Sequence, residues 1–287
     1  MKATISKLIF SLIALFALPH YASAQNETAA DTAISENRQE TTGAEETIGN
    51  TADLVALGDS AYAADNFQMA EQCYTEAMRE MGTSSVLFYN LGNAYYRQGN
   101  LGKALVNYER ALKLDPTNSD ARDNLEFVKA KITDRQTDSE PWMTSVWNSI
   151  VCMMKADTWA WISVLLFALF LAGTATYLFS SAVAVKKVSF FGGMIVFLLC
   201  AASIMISFAA ANRVENNSYA IILPPSAQLS TTPREARSRS EEAFLLHEGT
   251  KVEIVDSVAG SADGKWYEVR VGAGERAWIK ASEVERI

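Results

Sequence analysis

Asn90 and Asn124 stand 34 residues apart. A carboxamide both donates and accepts, so a row of two would hydrogen-bond a peptide backbone in both directions. Asn93, Tyr96 and Arg97 lie one and two helical turns beyond Asn90, with Asp59 and Tyr62 as further candidates upstream. The competing reading is that Asn90 and Asn124 tie loops or helix ends together. A second set, Trp266, Tyr267 and Trp278, offers rings for a ligand platform or for the core of a small domain. Groups for covalent or metal chemistry are scarce. The chain has 2 histidines and 3 cysteines, the latter far apart. That excludes a disulfide-dense scaffold and a four-cysteine zinc site. No catalytic residue, metal ligand or cofactor is expected. The net charge of −8 argues against bulk attraction to nucleic-acid phosphate.

Residues 51–134 must position the asparagines. Leu54, Leu57, Gly58, Ala70, Tyr74 and Ala77 are answered 34 residues later by Phe88, Leu91, Gly92, Ala104, Tyr108 and Ala111. Pro116 follows. This pattern resembles the tetratricopeptide repeat, a helix–turn–helix unit of that length. Gly58 and Gly92 leave room for the partner helix, while Asp65-Asn66 and Gly99-Asn100 mark the turns. A partial third copy begins at Ser119, with Leu125 in place and Glu126 where glycine belongs, and reads as a capping helix. The resemblance implies a concave groove for an extended or helical peptide. Val55 and Asp59 stand where the carboxylate-clamp subtype has lysine and asparagine, which argues against recognition of a C-terminal carboxylate.

Ahead of the repeats, residues 1–24 read as a secretory signal peptide. Lys2 and Lys7 precede the apolar run 8–18, and Ala22-Ser23-Ala24 fits a cleavage site. An uncleaved anchor is the alternative. Cleavage would leave a net charge of −10. Residues 25–50 hold six acids and one arginine with little apolar content, and read as a disordered acidic linker.

Two later runs are long enough to span a bilayer. Residues 159–179 carry no charge, within a first transmembrane helix at 157–179, and residues 188–211 form a second. Trp159, Trp161 and Tyr177 sit where interfacial anchors do. Lys186 and Lys187 in the intervening loop, 180–187, place that loop in the cytoplasm. Ser203, Ser207 and Ala211 form a small-residue stripe for helix packing. Neither span holds an acid, base or histidine, which argues against transport. In residues 141–155, Trp142, Met143, Val146, Trp147, Ile150, Val151, Met153 and Met154 recur at helical spacing. This predicts an amphipathic helix lying in the membrane interface, or else one that binds a partner. Cys73, Cys152 and Cys200 read as packing residues.

Beyond Asn217 the pattern becomes short strands. Residues 219–223, stopped by Pro224-Pro225, then 243–246, 251–258, 265–271 and 275–280 alternate around the turn Asp263-Gly264. Leu246-His247-Glu248-Gly249-Thr250, Trp266-Tyr267-Glu268-Val269 and Gly274-Glu275-Arg276-Ala277-Trp278-Ile279 resemble a bacterial SH3-like barrel over 218–287.

The expected fold class is therefore multi-domain: all-α repeat hairpins, two transmembrane helices and an all-β SH3-like barrel. The order of these parts, with Asp157-Thr158-Trp159-Ala160-Trp161 at the first span, resembles the TPR/SH3 membrane proteins of the Bat (aerotolerance) operons, BatE type. That resemblance implies partners with von Willebrand A domains, a MoxR-type ATPase system and a role in envelope stress or maturation. It places the chain in the bacterial inner membrane, with both folded parts in the periplasm. The function expected is a non-catalytic scaffold. The alternative is an envelope-binding or sensing protein whose SH3-like domain grips peptidoglycan. With His247 the only histidine left after cleavage, a cell-wall hydrolase lacks its chemistry.

Overall fold

The 34-residue register sets local structure through its caps. Asn66 and Asn100 each accept a backbone N–H three residues on, from Met69 and Lys103, both at 3.2 Å. Ser84 and Asn118 do the same for Leu87 and Ala121. Such caps satisfy N–H groups that a helix start leaves orphaned. Asp65 and Gly99, just ahead of the first pair, hold φ of 58° and 83°, the left-handed ending that reverses a chain. The computed structural model describes residues 53–134, 142–215, 218–259, 264–272 and 274–287. The expected signal peptide and linker, 1–24 and 25–50, lie outside the described residues.

Five helices result: α1 over 53–63, α2 Phe67–Met81, α3 Ser85–Arg97, α4 Leu101–Leu114 and α5 Ser119–Lys129. They pack as α1/α2 and α3/α4 hairpins with α5 beside α4. A Cβ at Gly58 would stand 2.6 Å from the Tyr74 ring, and one at Gly92 2.7 Å from Tyr108. Only glycine lets the rings lie that close. Ala61, Ala70, Tyr74, Ala77, Leu87, Leu91 and Ala94 fill the first core.

α6, Trp142–Val151, leads by a short turn into α7, Ala156–Phe179. α8 runs Val183–Glu215. α7 and α8 are each long and apolar enough to cross a membrane. They pair antiparallel, with the Ser203 hydroxyl donating to Trp159 O at 3.0 Å and Ser207 to Ala156 O at 3.3 Å. The small-residue stripe thus faces α7 at Ser203 and Ser207. It continues through buried Ala210, since Ala211 is exposed, because 3.6-residue periodicity rotates a strict fourfold row off the contact. The turn is also shorter than the expected 180–187. α8 already begins at Val183, so Lys186 and Lys187 ride on its first turn.

The C-terminal part is a seven-stranded antiparallel sheet in the order β3-β2-β6-β5-β4-β1-β7. The strands are β1 Tyr219–Ile222, β2 Ser226–Ser230, β3 Glu242–His247, β4 Lys251–Ala259, β5 Lys265–Val271, β6 Glu275–Lys280 and β7 Val284–Arg286. β2 and β7 were not expected; both are short, and β2 follows Pro224-Pro225 immediately. No ladder among the described residues joins β3 to β7, so the expected closed barrel is not seen. Ile222, Leu229, Val252, Val269 and Ile279 are the heart of its core.

Residues from Leu54 onward form one compact unit. α4 is the reason. The outer face of α2 carries Gln68, Glu71, Gln72 and Glu76, whereas the matching positions of α4 are Gly102, Leu105, Val106 and Arg110. That altered face meets the sheet: Ala104, Leu105, Val106 and Tyr108 share a core with Ile221 and Ile287. The Glu248 carboxylate accepts the Gly102 N–H at 2.7 Å, a charged cap supplied by the sheet. A Cβ on Gly102 would meet Ile222 O at 3.0 Å. Arg110 pairs with Glu285 at 2.6 Å. Glu109 lies between Lys251 at 3.1 Å and Lys129 at 3.7 Å. Past α5, the Asp134 carboxylate accepts from His247 N at 2.7 Å and from the Thr250 hydroxyl at 2.8 Å, with His247 Nδ1 2.9 Å away. At its other end, Asp115 caps α4 and pairs with Lys155 at 2.7 Å, on the approach to α7.

Two outcomes test this junction. Gly102→Gln, which writes the α2 residue into α4, should lower stability by about 1–3 kcal/mol through overpacking against the sheet. Gln68→Gly should cost only about 1 kcal/mol of helix propensity. Thermal unfolding of both variants in detergent makes the comparison. For Glu109, burial pushes its carboxyl up, but the Lys251 and Lys129 ammoniums together pull it below the usual range. A lowered folded-state pKa gives stability that is complete above the ordinary carboxylate range and lost as pH falls through the folded value. Glu109→Gln should therefore cost about 1–3 kcal/mol near neutrality, and the gap from wild type should close in acid. A gap that persists in acid would show that the ion pairs are not its source.

Candidate protein-interaction groove

The resemblance to tetratricopeptide repeats makes the first helix of each hairpin, α1 and α3, and with them α5, the candidate groove lining. Their polar residues are wired by the same bonds twice. Asp59 Oδ1 accepts from the Tyr74 hydroxyl at 2.7 Å and from Asn90 Nδ2 at 3.4 Å. One repeat later, Asn93 Oδ1 accepts from the Tyr108 hydroxyl at 2.7 Å and from Asn124 Nδ2 at 2.8 Å. Burial, then the Asp59 carboxylate, pushes the Tyr74 phenol well above its ordinary value, so it stays a donor. Burial does the same to Tyr108.

Asn90 and Asn124 are thus repeat-related, and each spends one N–H on the neighbouring first helix. Asn124 also lies against the Tyr108 hydroxyl, so its amide is the more committed of the two. Asn93 is committed further, because its oxygen holds two donors at once. Sequence spacing found the row but not its wiring, which runs across 31 and 15 residues instead of 34.

A second periodic set lies at the C-terminal ends of α1, α3 and α5. The Arg97 guanidinium lies 4.4 Å from the Phe67 ring centroid and 5.8 Å from that of Tyr62, and it pairs with Asp65 at 2.7 Å. Lys131, 34 residues on, lies 4.4 Å from the Phe127 centroid and 4.9 Å from that of Tyr96. Tyr96 and Phe127 meet edge to face at 5.8 Å. Cations over ring faces are held in place by the ring quadrupole. Phe127 is 54% exposed, a large apolar surface beside a charge. Tyr96 and Arg97 were expected here; Lys131, Phe127 and Phe67 were not. Adding 34 to Arg97 and to Tyr62 finds Lys131 and Tyr96.

The aromatic set in the sheet is arranged differently. Trp266 is 3% and Tyr267 8% exposed, on opposite faces of β5, so both belong to the interior. Lys265 and Arg286 also lie over the Tyr267 ring, at 5.2 and 4.7 Å. Only Trp278 keeps a partly open side chain, opposite Ser230. A three-ring platform needs open faces, and two of the three are covered.

Among the described residues, no group of three His, Cys, Asp or Glu could hold a metal ion. Cys73 and Cys200 are buried, while Cys152 is half-buried and accepts a hydrogen bond from Arg213. The groups gathered at the candidate groove are amides, aromatic rings and two cations.

Comparison with known proteins agrees with this geometry. No curated protein matches the chain. The tetratricopeptide repeat family model matches residues 85–118, which take in α3, α4 and the turn beyond. The chain contains a tetratricopeptide repeat, a unit that generally mediates protein–protein interaction.

Proposed function

We propose that this protein is a non-catalytic membrane adaptor, in which α7 and α8 form an anchoring hairpin and the α1–α5 groove captures a segment of a partner protein. The observation that carries this reading is the doubled network at Asp59 and Asn93, which holds Asn90 and Asn124 in repeat register, with Arg97 and Lys131 over aromatic rings in the same register. The two apolar helices have the length to span a bilayer. Because they pair antiparallel, the helical unit and the sheet leave the hairpin at the same end and would share a compartment. Lys186 and Lys187 at the opposite end favour the cytoplasm there, and so an outward-facing groove. The Bat-type resemblance extends the proposal: periplasmic placement in the inner membrane, von Willebrand A-domain partners, a MoxR-type ATPase system and service in aerotolerance or envelope stress. Peptidoglycan binding through the sheet has less support, since Trp266 and Tyr267 are buried.

The test is capture of partners by the full-length protein from native membranes, in mild detergent after gentle cross-linking. Reversal of both cations, Arg97→Glu with Lys131→Glu, should leave stability within about 0.5–1 kcal/mol, since both are exposed. Recovery of the partner should fall by roughly tenfold, the equivalent of about 1.4 kcal/mol. Undiminished recovery would remove these two cations from the interface. Recovery of cell-wall material without protein would overturn the adaptor reading.

A further inference from the structure

Among the described residues, α6 packs mainly against α8 and leaves most of its apolar side chains open. Its ten residues, Trp142–Val151, contain no charge. Trp142 is 73%, Met143 64% and Val146 51% exposed, and Trp147 is also open; Val151 alone is buried. Isolated helices shorter than about 12–15 residues are marginal in water. α6 therefore needs a surface that the described residues do not supply.

Its position indicates which surface. The residues of α8 facing the start of α7 are fixed by Ser207 to Ala156 O. The final turns of α8, 208–215, therefore run on past the beginning of α7, by about 12 Å at 1.5 Å per residue. α6 packs beside that extension and joins α7 through residues 152–155. It thus sits just beyond one end of the apolar hairpin, at the depth of a headgroup layer. Charges of both signs gather there, Arg213 and Lys155 alongside Asp115, Asp157 and Glu215. Arg213 on the α8 extension donates to the Cys152 thiol, and Lys155, 51% exposed, pairs with Asp115. Burial, then the nearby charges of Arg110, Arg213 and Lys251, lower the Lys113 ammonium below its ordinary value. Tryptophans flank the junction at Trp147 and Trp161.

We infer that α6 is an interfacial seat: it lies in the headgroup layer of the bilayer with Trp142, Met143, Val146 and Trp147 turned into the lipid, while Arg213 faces the headgroup phosphates. Apolar helices of this kind bury about 5–10 Å into the boundary of headgroup and acyl chain. The inference rests on α7 and α8 spanning the membrane. Through the Lys155–Asp115 pair and the contact of α8 with α4, the seat holds the groove at the membrane surface. The partner segment would then be one that lies close to the bilayer.

The experiment uses the full chain in nanodiscs of phosphatidylcholine with a minor share of phosphatidylglycerol. A fluorescent amino acid is placed by codon suppression at Val146 on the apolar face, at Ser145 on the polar face, or at Leu165 in α7. Quenching is read with iodide in water and with lipids bearing a nitroxide near the top or near the end of the acyl chain. At Val146 iodide quenching should be lost and shallow-nitroxide quenching gained, while Ser145 keeps its iodide quenching. Equal iodide quenching at Val146 and Ser145 would overturn the seat by placing α6 in water. Protection of Val146 from both quenchers would overturn it in favour of a protein cover, a second copy or a partner. Leu165 separates the two layers of the argument. Deep-nitroxide quenching there keeps the span whatever α6 does, and its absence removes the span and the seat together.

Discussion

The molecule depends on the burial of one helix, α4, on several of its sides. Tyr108 reaches back under Gly92 to close the repeat. Leu125 and Val128 of α5 cover one flank, and Ile221 and Ile287 cover another. The helix ends are occupied as well, by Glu248 at the start and by the Asp115–Lys155 pair at the finish. A helix so enclosed cannot move independently of the sheet or of the hairpin approach. Helical repeats, apolar hairpin and sheet meet there, and the first two would be modules on a string without it.

The polar part of that junction is arranged for a carboxylate that has left water. Glu109 keeps its charge because two ammoniums face it, one from β4 and one from α5. Such pairs are weak sources of net stability but strong selectors of arrangement, since either partner alone would be a stranded charge. Asp134 follows the same logic at the far end of the solenoid. Burial pushes its carboxyl up, and hydrogen bonds from His247 and Thr250 bring it below the usual range. Apolar contact provides the cohesion, and these carboxylates fix which face of the sheet is presented.

Much of the architecture could be read from the sequence wherever the signal was local or periodic. The 34-residue register gave the helices, the turns between them and the room that Gly58 and Gly92 leave for a partner helix, because each repeats in place. The two apolar helices declared themselves by length. The wiring of Asn90 and Asn124 was hidden, because Asp59 and Asn93 lie 31 residues away across a helix pair, and no single-helix pattern encodes that. The docking of the sheet was hidden more deeply: Glu248 is 146 residues from Gly102, and Glu285 is 175 from Arg110. One trace did exist. The outer face of α4 drops the polar residues that α2 keeps, and a solvent-facing helix has no reason to carry Leu105 and Val106 there. The burial of Trp266 and Tyr267 on opposite faces of one strand was open to sequence reasoning only as a choice between core and platform.

Those long separations also have a temporal meaning. During synthesis α4 is complete some 170 residues before Glu285 and Ile287 emerge. At roughly 5–20 residues per second, the interval is on the order of 10–30 seconds. For that time Leu105 and Val106 face the surroundings, and the solenoid has an unfinished end. Native closure must wait until both apolar helices have been made and the strands beyond them have paired. The nascent chain therefore passes through a stage at which its repeat unit is formed but adhesive, and its safe passage depends on how promptly the last seventy residues arrive.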